Sequence, residues 1–176
     1  ALAVLFLLTA ALISDTTIII IPLIIMTAAG AVIYQQRYNW KQLFIVTIIL
    51  TYTGFLLWMV GDPFMGHPVK LISEKYLSII CLFSLGAVYS IVLLFREKDA
   101  SSDDYLIGVT ITNGLFFTFL LLFVVLSFFS NGYVTLFAGI TTSCLVFSII
   151  LYSRSSWNFA SAFYALYGFM AMSIAL

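Results

Sequence analysis

Charge is what this chain has least of: only 8% of its residues carry one, against roughly a quarter in an ordinary soluble domain. The other 64% that are apolar or aromatic are too many for a globule of 176 residues to bury, because small domains leave much of their surface in water. A soluble fold is therefore excluded, and the hydrocarbon of a bilayer is the solvent the composition fits. The seven basic and seven acidic residues cancel, which leaves no electrostatic footprint for nucleic acid and no polybasic stretch for anionic lipid. Cysteine is scarce too, with two in the chain. Cys81 and Cys144 each sit in a long apolar run, where a thiol behaves as a small apolar side chain and points to neither a disulfide framework nor a metal.

The scarce polar residues divide the chain into seven apolar segments, approximately 1–13, 18–34, 42–60, 76–95, 105–129, 133–152 and 158–176. At 1.5 Å of rise per residue the complete ones match a hydrocarbon core of about 30 Å, so every segment but the first is expected to cross. The expectation is an all-α fold, a polytopic transmembrane bundle of about seven antiparallel helices built from two-helix hairpins, over a single domain 1–176. The chain opens Ala1-Leu2-Ala3-Val4, with neither the basic start nor the cleavage pattern of a signal peptide, and its first 13 residues are too short to span. They read as the tail of a helix, and the chain as a fragment of a longer multi-pass protein.

Helix-start chemistry stands at the joints. Asp15, Thr16 and Thr17 precede the second segment; Asn39 with Gln42, and Ser101 with Asp104, fit capping boxes; Ser155 and Ser156 precede the last segment, and Asn131-Gly132 offers a tight turn. Pro22 either begins a regular helix or bends one. Arg37, Lys41, Arg96, Lys98 and Arg154 fall on one side of the alternating joints, against Lys70 and Lys75 on the other, so the positive-inside rule makes the loops at Arg37, Arg96 and Arg154 cytoplasmic.

No Asp, Glu, Lys, Arg or His lies in the middle of a span, where one would cost about 2.5–3.5 kcal/mol and mark a proton or ion pathway. The polarity inside the spans is neutral: Thr47, Thr51, Tyr52 and Thr53, then Tyr89, Asn113, Thr141, Thr142, Ser143, Tyr164 and Tyr167. Two uses compete for it. Tyr52, Asn113 and Tyr167 could gather around a polar ligand near the midplane, or these groups could serve as hydrogen bonds between helices and back onto their own turns. Small residues four apart, Thr27 with Ala31, Gly86 with Ser90, Gly114 with Thr118 and Gly139 with Ser143, allow close helix contact. The one histidine, His67, stands near Asp62 and Glu74 without metal-ligand spacing, and no Ser, Cys or Thr occupies a nucleophile motif. No enzyme, cofactor or metal is expected.

The turn Tyr34-Gln35-Gln36-Arg37-Tyr38-Asn39-Trp40 has a counterpart in Tyr152-Ser153-Arg154-Ser155-Ser156-Trp157, with Trp three residues after Arg in both. With the aromatic-rich run ending Phe55-Leu56-Leu57-Trp58 and the hairpin after Phe95-Arg96-Glu97-Lys98, this resembles the large bacterial membrane proteins grouped as domain of unknown function 2339. The resemblance implies a bacterial inner membrane, a longer parent chain whose remaining helices are partners beside the lipid bilayer, and no known cofactor; it names no site residues. The function expected is a structural or interaction module without chemistry in this portion. The alternative is a transport module for a neutral or lipid-like solute.

Overall fold

A computed structural model describes residues 17–38, 40–60, 75–95, 103–129, 132–155 and 158–175. They form six helices: α1 Thr17–Tyr38, α2 Lys41–Val60, α3 Lys75–Ile91 with a 3-10 turn Val92–Phe95, α4 Asp103–Phe128, α5 Tyr133–Ser155 and α6 Asn158–Ala175. No strand occurs among the described residues. Five helices are long and apolar enough to cross a bilayer, and α6 falls just short, so the chain is a multi-pass membrane protein with one fewer helix of full spanning length than the six expected. The segment 1–13 lies outside the described residues, as does the loop 61–74 that holds His67, Asp62 and Glu74.

The outward faces carry the same residue types as the core. Met26, Leu115, Ile149 and Phe169 are all more than half exposed within their helices, as a lipid solvent allows, and it is why amphipathic periodicity says nothing here about which face turns inward. The inward faces still follow helical spacing. On α2 the buried positions are Phe44, Thr47, Ile48, Thr51, Tyr52, Gly54, Phe55, Trp58 and Met59, which recur every three or four residues along one face. They meet Leu82, Leu85 and Tyr89 of α3 and Leu106, Val109, Asn113 and Leu120 of α4, with Ile20, Ile24 and Ala28 of α1 closing the core.

Two expected boundaries shift. Residues 34–38 are helical, because nothing in Tyr34-Gln35-Gln36-Arg37-Tyr38 breaks a helix and the Tyr34 and Tyr38 rings stack 5.3 Å apart one turn along it; the turn shrinks to the residues just beyond. The bond from Phe44 N to Trp40 O at 3.1 Å puts the cap position of α2 at Trp40, one residue past the expected Asn39. Pro22 is the sixth residue of α1, so it does not begin the helix; it removes one donor from the ladder about a turn and a half in.

α5 and α6 make the most extensive pairing in the fold. Gly168 is the reason. A Cβ there would stand 3.4 Å from both the Thr141 carbonyl oxygen and Leu145 Cγ, and its absence brings the Gly168 carbonyl within 3.1 Å of Thr141 Oγ1, as a second acceptor beside the Phe137 carbonyl at 2.9 Å on its own helix. Further along, Ser148 Oγ donates to the Ser161 carbonyl at 2.8 Å, and Ser161 Oγ donates back to the Ser148 carbonyl at 3.1 Å. Of the expected small-residue pairs, Gly86 lies under Phe117 and Gly114 under Phe163, whereas Gly139 faces open space. Gly168→Leu is expected to lower stability by about 1–3 kcal/mol through overpacking, while Gly139→Leu leaves it unchanged or slightly raised. Thermal unfolding of the two variants in detergent micelles checks this; equal effects would mean the Gly168 approach does not hold α5 to α6.

Candidate functional site

The only asparagine inside a described span organises the polar interior. Asn113, in the middle of α4, is 4% exposed. Its Oδ1 accepts from the Tyr52 hydroxyl of α2 at 2.6 Å; its Nδ2 donates to the Gly86 carbonyl at 3.3 Å and to Ser90 Oγ at 3.2 Å, both on α3. Ser90 in turn lies 2.6 Å from the Tyr164 hydroxyl of α6. One residue thus reaches two helices directly and a third through a single hydroxyl.

Proton counting fixes the directions. Ser90 has one hydroxyl proton, and it is donated to the Gly86 carbonyl at 2.6 Å. Ser90 Oγ therefore accepts from both Tyr164 and Asn113, and its capacity is full. Thr51 spends its proton on its own helix, on the Thr47 carbonyl at 2.9 Å, which makes Tyr89 the donor of the 2.6 Å bond between Tyr89 and Thr51. Thr118 Oγ1 has two acceptors in reach, the Gly114 carbonyl at 2.6 Å and Tyr167 Oη at 2.9 Å. Its single proton serves one of these two acceptors at a time.

Of the three site candidates, Tyr52 and Asn113 bond each other directly. Tyr167 does not join them; it pairs with Thr118, about one turn along α4. Ser90 and Tyr164 complete the network, and sequence reasoning gave them no such place: Ser90 stood out only as a small residue four after Gly86, and Tyr164 as one hydroxyl among many. Spacing within one helix cannot say which hydroxyls on four helices meet.

A cavity of about 330 Å³ opens beside the network, between α3 and α4 on one side and α5 and α6 on the other. Phe83, Phe117, Phe147 and Phe163 form most of its walls, with Ser90, Asn113, Tyr164 and Tyr167 at its polar side. The rings meet edge-on, Phe83 with Phe117 at 5.6 Å and Phe147 with Tyr164 at 4.8 Å, a packing that braces the walls. Cys144 lines it; Cys81 does not, and both thiols are free. Tyr52 lies behind Asn113, outside the lining. Charged groups are placed only at helix ends among the described side chains, as with Arg37, Lys41, Asp104 and Arg154, and no set of three His, Cys, Asp or Glu side chains converges among the described residues.

Comparison with family models, with curated proteins and with solved structures finds no match for the chain.

Asn113→Ala is expected to cost about 1–3 kcal/mol, because it leaves the Tyr52 hydroxyl buried without an acceptor. Adding Tyr52→Phe removes that orphan and recovers part of the loss. A double-mutant cycle in a reversible unfolding assay should give a coupling of about 0.6–1.7 kcal/mol, the range of interhelical bonds in membranes; a coupling of zero would mean the two side chains do not meet.

Proposed function

We propose that this chain is a structural or interaction module of a multi-pass membrane protein, in which neutral hydrogen bonds hold the helices and no chemistry is performed. The observation that carries this reading is the use of the polar interior: three of the four hydrogen-bonding positions of Asn113, and all of those of Ser90, are taken up by neighbouring helices or their own turn. A transport module for a neutral or lipid-like solute would turn these groups toward a water path. Tyr52 and Asn113 instead turn toward each other, with Tyr52 fully buried.

The arrangement we infer is a succession of antiparallel hairpins. Pairs across the fold support it. Between α5 and α6, Thr141 meets Gly168 and Ser148 meets Ser161, so residue numbers move in opposite senses. The same holds between α3 and α4 for Tyr76 with Phe129 and Phe83 with Phe117, while Phe44 with Tyr105 and Tyr52 with Phe116 run in the same sense between α2 and α4. Arg37, Lys41 and Arg154 then share one end with Tyr34, Tyr38, Trp40 and Tyr152, all more than half exposed, in the manner of an interfacial aromatic belt beside cytoplasmic charge. With the resemblance to the bacterial proteins of domain of unknown function 2339, this favours a bacterial inner membrane, with the loops at Arg37, Arg96 and Arg154 cytoplasmic and the remaining helices of a longer chain as partners.

Single cysteines in a Cys81→Ala, Cys144→Ala background test both parts. Probes replacing Arg37 and Arg154 are expected to react with a water-soluble thiol reagent from the cytoplasmic side alone, those replacing Val60 and Tyr133 from the opposite side alone, and those at Tyr52 and Asn113 from neither. Reaction at both Tyr52 and Asn113 would replace the structural reading with transport.

A further inference from the structure

The cavity between α3, α4, α5 and α6 opens along the side of the bundle. Three of its lining residues are exposed: Ala87 and Ile91, one turn apart on the same face of α3, and Ser143 of α5. Ala87 and Ser143 sit near the middle of their helices, while Ile91 lies about 6 Å of helical rise short of Phe95, where the apolar span of α3 ends. The opening therefore runs along the helix axes, from mid-bilayer into the leaflet at the Phe95 end of α3, and faces hydrocarbon over its length. Lipid chains lie in that same direction.

Nothing in the cavity calls for water. Each polar side chain in its lining has a hydrogen-bond partner inside the protein: Ser90 with Gly86 and Tyr164, Asn113 with Tyr52, Gly86 and Ser90, Ser143 with Gly139, and Tyr167 with Thr118. The rest of the wall is apolar, led by Phe83, Phe117, Phe147 and Phe163, and no carboxylate, amine or guanidinium contributes to it. Such a void stays dry. Left empty, its lining would forfeit dispersion contacts over about 330 Å³, in the seam where α5 and α6 touch the rest of the fold least. A lipid chain at the mouth recovers those contacts and gives up only conformational freedom, since the wall is as apolar as the lipid around it. We infer that an acyl chain of a phospholipid, from the leaflet at the Phe95 end of α3, fills this cavity and bridges the α5–α6 pair to the α1–α4 core, with its headgroup left at the membrane surface. This inference stands apart from the structural reading, whose test is the reach of water to Tyr52 and Asn113.

The test uses the whole chain in phosphatidylcholine vesicles doped with either of two phosphatidylcholine probes, one carrying a diazirine near the end of an acyl chain and one close to the glycerol, with adducts located by peptide mass spectrometry. The chain-end probe is expected to label 83–91, 140–147 and 163–167 about fivefold more than the lipid-facing Met26 and Leu115, whereas the glycerol-end probe shows no such preference. Ala87→Phe and Ile91→Trp, both at the exposed mouth, should each lower the cavity adducts about fivefold and leave those on Met26 and Leu115 unchanged. A variant that shifts the Met26 and Leu115 yields is misfolded, and the contrast between the two probes on the unaltered chain then decides alone. Equal yields at the cavity and at the lipid-facing positions show annular lipid only and overturn the site. A cavity without adducts beside a labelled Met26 shows that protein covers the mouth and overturns it as well, as does undiminished labelling in both variants.

Discussion

Within a bilayer there is no water to satisfy a stray donor, so a polar proton in the interior is costly unless it ends on an oxygen that the protein itself supplies, and among the described side chains the buried Tyr105 hydroxyl is one that finds none. That constraint explains more of this structure than any apolar contact does, because lipid tails are as apolar as the leucines and phenylalanines they touch and give little reason for one helix to prefer another. Asn113 meets the constraint by drawing Tyr52 from α2, Gly86 and Ser90 from α3 and, through Ser90, Tyr164 from α6. Serine and threonine meet it mostly within their own turns, as Thr47, Thr53, Thr110 and Ser173 do, and so add polarity without adding contacts between helices.

The placement of small residues follows from the same logic. Where hydrogen bonds must cross between helices, backbones must come close, and Gly86, Gly114 and Gly168 stand where an added methyl would meet a ring or a carbonyl. The two ends of the chain differ in how they use this. α1 to α4 share one core around Tyr52, Leu82, Leu85 and Val124, whereas α5 and α6 are bound chiefly to each other and touch the rest along a narrow seam. The cavity lies in that seam, walled by aromatic rings whose edge-to-face packing keeps it from collapsing.

Much of this architecture is legible in the chain, because length and apolarity are properties of single segments. Punctuation by charge placed α2 and α5 within a few residues and predicted self-bonding for Thr47, Thr51 and Thr141, since a hydroxyl mid-helix finds the carbonyl four residues back whatever the tertiary fold. Asn113 also stood out, as the one asparagine inside a span, and it bonds Tyr52, one of the two tyrosines grouped with it around a polar ligand. Tyr167 was grouped with them too but bonds Thr118, and Ser90 was not grouped at all, because with both faces of each helix apolar no periodicity reveals which way a hydroxyl turns. The cap of α2 was misplaced for a simpler reason: an Asn beside a Trp looks like the natural cap, yet the backbone carbonyl that accepts the first helical bond belongs to Trp40.

The central claim is that the Asn113 network is dry, and the most direct measurement reads its protons. In protein labelled with ¹⁵N at its four asparagines and reconstituted in bilayers, solid-state NMR follows the side-chain amides after transfer to D₂O. Asn39, Asn131 and Asn158 stand at joints or helix starts and serve as the exchanging references. The account predicts that the Asn113 amide signal persists long after those three have gone, shifted on removal of the Tyr52 hydroxyl in Tyr52→Phe. Loss of the Asn113 signal on the same timescale as the others would mean that water reaches the middle of the bundle, and the helices would have to be held by something other than this network.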